Sequence, residues 1–405
     1  MKILQLMNRV PWPLNDGGSL GFYNYTKGYH DAGCEVTVAA LNTVKHFVPH
    51  IPESLSSLAT WHTTTIDNRV KLLGAALSLL KNESYNISRF YSKAFEQMIG
   101  NLLVENTYDV IVFESIFMAP YLDIVSKKSN ALLVLRQHNV EWKIWETLSQ
   151  QEVSKLKRWY LHKLAAQLKQ YEQKMLNNFD VLVPITQNDI DKFIQMGLNI
   201  PYYISPAGID TAKFSGYKNV NQHPIVFHLG SMEWLPNQDA MQWFLNCVWP
   251  KVLAEVPDAQ CEIAGRGMPD TFFKTKFANT LVHGEVENAQ EFMKDKSIMI
   301  VPLFSGSGIR IKILEGMAMG KAIVTTSLGV QGIACENRKH LLIADDADTF
   351  AAAVVSLLKD EGLRKKLSDN AAQQVAEVYD NNKVLIRLLN FYSQQITQKK
   401  YTHVI

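Results

Sequence analysis

Residues 305–315, Ser-Gly-Ser-Gly-Ile-Arg-Ile-Lys-Ile-Leu-Glu, hold the densest concentration of groups able to do chemistry. Gly306 and Gly308 let backbone N–H groups approach a ligand closely. Ile309, Ile313 and Met317 recur at helical spacing, which predicts a helix with Arg310 and Lys312 in its first turn. The positive end of a helix dipole disfavours cations, so two of them there call for an anion, and phosphate is the usual guest. Glu315 follows Lys312 by one turn on the same face, where its carboxylate can accept hydrogen bonds from sugar hydroxyls. Amides and cations for a diphosphate, with a carboxylate for a ribose, describe a nucleoside-diphosphate site. A βαβ connection with solvated charges is the plain alternative.

Two other places invite the same question. Gly17-Gly18-Ser19 follows the first predicted strand, with Ser19 as a helix N-cap. His138 stands at the carboxyl end of the strand 131–137, where open α/β sheets bind ligands, although a histidine satisfied by backbone carbonyls reads the same way. Glu141 just beyond suits a helix start.

The elements that must position these residues alternate. Continuous apolar runs at 3–7, 35–40, 108–114, 131–137, 181–185, 225–229, 260–264, 281–286, 298–303 and 322–326 predict buried strands of parallel sheets. Helices are expected at 19–32, stopped by Gly33, and at 309–319, stopped by Gly320. Further helices are expected at 240–248, 347–358, 361–378 and 382–397, with Asn237 and Asp239 capping the first of these. Residues 44–105 read as a helical insertion with little strand, strongest at Val70–Leu80 and Ser92–Leu103, and 215–223 as a polar linker. The class is α/β, with two domains in 405 residues.

The run Gly306 to Lys321 resembles the nucleotide-sugar signature of glycosyltransferase family 4, the retaining enzymes of GT-B fold. That resemblance implies two Rossmann-like doubly wound domains facing a central cleft. It divides the chain into an acceptor-side domain at 1–214, closed by Pro206-Ala207-Gly208-Ile209-Asp210, a nucleotide-sugar domain at 224–380, and a last helix, 381–405, packing back on the first domain. It gives Glu315 to the ribose, and Ser307 stands where the family often has a first glutamate. Arg310, Lys312, Gly308 and Ile309 then meet the donor, as do Gly230 and Ser231. The loop after those two lacks the Arg and Lys found in many members, which leaves the cationic work to Arg310 and Lys312. Glu285 and Val286, within 283–287, are base-pocket candidates, Gly17-Gly18 faces the donor phosphates, and His138 contacts the donor sugar.

The implied activity is transfer of a sugar from a nucleoside diphosphate sugar to a saccharide or lipid-linked acceptor, in cell-surface polysaccharide or glycolipid synthesis. A GT-B epimerase or phosphorylase, or an inactive nucleotide-sugar-binding subunit, are the rival readings. No cofactor is expected and no metal is required: Asp16 and Asp239 are isolated, and His283 lacks a ligand partner at metal spacing. A net charge of +2 gives no case for nucleic acid. Cys34, Cys247, Cys261 and Cys335 are scattered, as buried thiols of a reducing compartment would be, and no stretch of 18 apolar residues exists. The expected location is the cytoplasm. The basic, aromatic segment Lys155–Lys169 is either a solvated helix face or a surface resting on anionic lipid at the inner face of the plasma membrane.

Overall fold

A computed structural model describes residues 1–14, 17–71, 74, 78, 83–217, 223–306 and 308–402. The chain divides into two compact units, residues 1–206 with 384–405, and residues 207–383.

The first unit is built on β1 (Lys2–Met7), β2 (Glu35–Thr43), β3 (Thr60–Ile66), β4 (Val110–Glu114), β5 (Leu132–Gln137) and β6 (Val181–Pro184). They form one sheet in the order β3-β2-β1-β4-β5-β6, and every neighbouring pair is parallel. The central strands are buried along almost their whole length and mostly apolar, Gln5, Glu114, Arg136 and Gln137 excepted, because helices cover both faces. The order reverses between β1 and β4, which makes the carboxyl ends of those strands the place where this topology opens a crevice.

The second unit repeats the plan with β7 (His223–Leu229), β8 (Cys261–Ala264), β9 (Thr280–Gly284), β10 (Lys296–Val301), β11 (Ala322–Thr325) and β12 (Leu342–Ile343). Their order is β12-β11-β10-β7-β8-β9, again all parallel. The reversal falls between β7 and β10, whose register pairs Ile298 with Val226 and Met299 with Phe227, so the two strands end level.

Several expectations are corrected. Residues 44–105 contain β3, a full edge strand paired with β2. Its sequence Thr-Trp-His-Thr-Thr-Thr-Ile is half exposed, so no apolar run marked it, although threonine favours strands. The second helical stretch of that region is present as Lys93–Glu105, capped by Ser92, whereas most of Val70–Leu80 lies outside the described residues. The first helix begins at Gly17, two residues early, and Ser19 is buried inside it. Likewise Asn237 lies within the helix Leu235–Trp243 rather than at its cap.

The units divide after Pro206, not at 214. Ile209 N–H donates to the Tyr379 carbonyl (2.8 Å) and Asn381 N–H returns to the Ile209 carbonyl (3.0 Å). A Cβ on Gly208 would sit 2.4 Å from Asn381 Oδ1, so the pattern read as closing the first domain instead opens the second. The final helix, Asn381–Thr402, places Val384, Leu385, Leu388 and Tyr392 in the core of the first unit. Of the cysteines, Cys261 is buried, Cys34 and Cys335 are half-buried, and Cys247 is exposed.

Candidate active site

The reversal point of the second sheet is where charged and polar side chains gather. His228, the sixth residue of β7, is fully buried, and its Nδ1 lies 2.9 Å from the Ile300 carbonyl of β10. A carbonyl only accepts, so Nδ1 carries the proton and Nε2 presents a lone pair. Burial, then the charge of Lys312, hold this imidazole well below the ordinary histidine range, so it is neutral. Its Nε2 is 3.5 Å from Lys312 Nζ, and Asn237 Oδ1 accepts from the same ammonium at 2.9 Å. Asn237 is itself fixed, because its Nδ2 donates to the Ser231 carbonyl at 2.8 Å. A Cβ on Gly230 would lie 2.7 Å from Lys312 Nζ, so glycine is what admits the ammonium to the strand end.

Lys312 lies in the first turn of the helix Ile311–Ala318, as its spacing predicted. Among the described residues no carboxylate pairs with it. Burial, then the neighbouring charge of Arg310, bring its pKa down to about 7. A cation held by neutral acceptors at a helix N-terminus is a site built for an anion.

Arg310 departs from the expectation of a free first-turn cation. It is the N-cap residue, 5% exposed, and its guanidinium turns back on the glycine loop. One Nη donates to the Gly308 carbonyl and the other to the Gly306 carbonyl, the latter at 3.2 Å. Its Nε is buried with no partner among the described residues. Arg310 therefore braces the loop. Gly306 and Gly308 have φ of +106° and +84°, the left-handed region that glycine tolerates. The Trp234 ring occupies the space a Gly306 side chain would need, whereas a Cβ on Gly308 would meet nothing. Ser307 lies outside the described residues.

Glu315 is half-buried, burial raises its pKa, and its carboxylate has no hydrogen-bond partner among the described residues. Thus Gly230, Ser231, Gly308, Ile309, Arg310, Lys312 and Glu315 occur on the loops and helix at the ends of β7 and β10. Glu285 and Val286 follow β9, the far edge strand, three strand spacings or about 14 Å from β10. Glu285 is exposed and Val286 packs on the apolar core. His283 pairs with Glu262 at 2.7 Å.

The first unit holds a second polar group at its own reversal point. Glu114, at the end of β4, is fully buried; its Oε2 accepts from Arg136 Nε (2.7 Å) and lies 3.3 Å from His138 Nε2. Its Oε1 accepts from Gln5 (2.9 Å). Burial would raise the Glu114 carboxyl, but Arg136, His138 and Gln5 outweigh it and hold it below the usual range. The Arg136 guanidinium lies 3.5 Å from the centre of the Tyr25 ring. His138, just beyond the end of β5 as its place in the sequence implied, has a side chain 14% exposed, packed edge-on against Phe22 and pinned to Glu114. Burial and then Arg136 lower its pKa, so it is a neutral imidazole that donates from Nε2. Gly17 and Gly18 form the first turn of the same helix as Phe22, and a Cβ on Gly17 would meet nothing. Glu172 Oε2 accepts from the Trp142 N–H at 2.9 Å, holding the start of the helix Glu141–Gln151.

Sequence reasoning missed His228, Asn237, Glu114 and Arg136 as site residues. The available signal was a polar side chain inside each of three apolar strands; Glu114 and Arg136 are direct register partners.

Residues 223–360 match the family model described as "Glycosyl transferases group 1". The chain carries a group 1 glycosyltransferase domain. Over 396 residues, 95% of this glycosyltransferase and 97% of the relative, it is 24% identical to an uncharacterized 44.6 kDa protein in the cps region of Klebsiella pneumoniae. It is 28% identical to the phosphatidyl-myo-inositol mannosyltransferase of Mycolicibacterium smegmatis, over 46% of this chain and half (50%) of that one. Among solved structures, sucrose-phosphate synthase of Thermosynechococcus elongatus matches with a TM-score of 0.65 at 12% identity, covering 98% of this chain and 100% of the other. The HepE protein of Anabaena, in complex with UDP, matches with a TM-score of 0.65 at 13% identity, covering 97% and 100%. The fold of the glycosyltransferase is GT-B, two α/β units each with a parallel six-stranded sheet.

Proposed function

We propose that this glycosyltransferase takes a sugar from a nucleoside diphosphate sugar and transfers it, with retention of anomeric configuration, to a saccharide or lipid-linked acceptor. The observation that carries the reading is the half-buried Lys312 ammonium at the β7/β10 reversal point, held by Asn237 and His228 at a helix N-terminus with no carboxylate partner among the described residues. Negative charge grows on the departing diphosphate, and a fixed cation with oriented loop amides stabilises it there. In this reading these groups neutralise the diphosphate without a metal ion, Glu315 holds the ribose, Gly230, Ser231, Gly308 and Ile309 line the donor, and His138 positions a reacting group. The cps-region relative and the mannosyltransferase support a role in polysaccharide or glycolipid synthesis.

The test is a thermal-shift screen of nucleotide sugars, followed by incubation of the stabilising one with saccharide and lipid-linked acceptors and assignment of the anomeric configuration of the product. A ligand that binds only the native state raises apparent stability. A full panel without any shift would sink the reading.

Membrane attachment is part of the same proposal. Among the described residues no helix is long and apolar enough to cross a membrane. Around the turn between the helices Glu141–Gln151 and Lys155–Met175, however, Leu148, Val153, Leu156 and Trp159 are exposed beside Lys155, Lys157, Arg158 and Lys163. Apolar side chains set among cations suit the headgroup region of an anionic bilayer. Sedimentation with anionic vesicles at low salt, and not with neutral ones, is the expected result; equal indifference to both removes the attachment.

A further inference from the structure

The surroundings of Lys312 pose a question that charge neutralisation alone does not answer. Four elements meet there: β7 brings His228, the helix Leu235–Trp243 brings Asn237, β10 brings the Ile300 carbonyl, and the helix Ile311–Ala318 brings Lys312. Each neutral side chain is locked as an acceptor by a backbone carbonyl on its far side. Ile300 fixes the histidine tautomer and Ser231 fixes the asparagine amide, whose reversal would set an NH2 against the ammonium and an oxygen against a carbonyl. Among the described residues the charged groups nearby do not supply a counter-ion. Arg310 adds a like charge, and Glu315, three residues on, makes no ion pair with Lys312.

We propose that His228 is a positioning residue for donor binding: it holds Lys312 over Gly230 in a pocket where no described residue is its counter-ion, so that the diphosphate of the donor becomes that counter-ion and binding is accompanied by proton uptake. The inference rests on the donor-site reading above. Its logic is linkage. If the ammonium has a higher proton affinity with the diphosphate present than without it, the donor must bind more tightly to the protonated protein. The lowered proton affinity of the free site, with a pKa of about 7, puts the effect near neutrality.

The experiment is calorimetric titration of the full chain with UDP-glucose, UDP-N-acetylglucosamine and GDP-mannose across neutral to alkaline pH, in buffers of different ionisation enthalpy. These donors have a diphosphate esterified at both ends, so they bring no phosphate proton that titrates there. Affinity is expected to fall by up to about tenfold per pH unit above the Lys312 transition, with protons taken up from the buffer. Lys312→Arg, whose guanidinium stays charged, should flatten the profile. His228→Phe, which removes the acceptor, should move the midpoint to lower pH, and His228→Gln, which keeps one, should restore it. Measurable binding with a flat wild-type profile and no proton uptake overturns the inference and leaves the donor site standing. Unchanged midpoints in a folded His228→Phe protein remove His228 from the role. If His228→Phe does not fold, the wild-type and Lys312→Arg profiles still decide whether uptake occurs, and an unshifted His228→Gln midpoint is required. Absence of binding at every pH overturns the donor reading itself, and this inference with it.

Discussion

Lys312 is held against three unfavourable influences: lost hydration, the Arg310 charge and the positive end of a helix dipole. Lys312→Met, which keeps the length and discards the charge, should weaken nucleoside diphosphate binding by about 1.5–3 kcal/mol, the scale of a charge-assisted hydrogen bond. The same change should stabilise the free protein by about 0.5–2 kcal/mol at neutral pH. The sign follows from protons bound. Lys312 titrates at about 7 when folded and near the ordinary lysine value of 10.5 when unfolded, so between those values the unfolded chain holds more protons and native stability rises with pH. The gain from Lys312→Met is therefore largest below about pH 7 and shrinks as pH rises through the window, which urea midpoints at mildly acidic and alkaline pH will read. Glu315→Gln removes a carboxylate whose pKa burial has already raised, so its melting temperature should not fall while donor affinity does. A bound-nucleotide structure with this side chain away from both ribose hydroxyls would end that assignment.

At the scale of elements, the glycine loop and its helix act together through Arg310. Because the guanidinium spans the Gly306 and Gly308 carbonyls, Arg310→Ala should cost about 1.5–3 kcal/mol in nucleoside diphosphate affinity by releasing the loop. Arg310→Lys should not rescue it, since an ammonium lacks the planar fork that reaches two carbonyls. Titrating both variants against wild type checks this. His138→Ala belongs here too, because its ring connects the end of β5 to Phe22 of the first helix and to Glu114 of β4. Turnover should fall on the order of 100-fold if it positions a reacting group, with nucleoside diphosphate affinity unchanged. A loss of melting temperature with normal turnover per folded molecule would make it structural.

The strands around these residues were legible because both of their faces are buried: Ile298–Leu303 needs no partner to be read as a strand. Thr60–Ile66 was not, because an edge strand with an exposed face carries no such run. Lys312 and Glu315 were legible from helical spacing. His228 and Asn237 were not, since their meaning depends on β7 lying beside β10 although 66 residues separate Leu229 from Lys296 in the sequence. Glu114 and Arg136 sat in runs read as apolar, and only the adjacency of β4 and β5 makes them a pair.

For the molecule as a whole, the notable feature is that the first unit is discontinuous in sequence. Its core is completed by Val384, Leu385, Leu388 and Tyr392, and Lys399 donates to the Ala131 carbonyl (2.8 Å) and to Asp180 (2.6 Å). Leu388→Ala should destabilise that unit by about 2–5 kcal/mol. Native-state hydrogen exchange should show amides of residues 1–206 opening more readily while those of 207–383 keep their protection. Uniform loss of protection in both would show that the units unfold as one. On the ribosome this arrangement inverts the usual order of maturation. Residues 1–206 wait roughly 10–40 seconds of elongation for the helix that completes their core, while everything needed for the second sheet is already made. During that interval the face of the first helix at Gly28 and Tyr29, which Leu385 and Tyr392 will cover, is the surface a chaperone would hold.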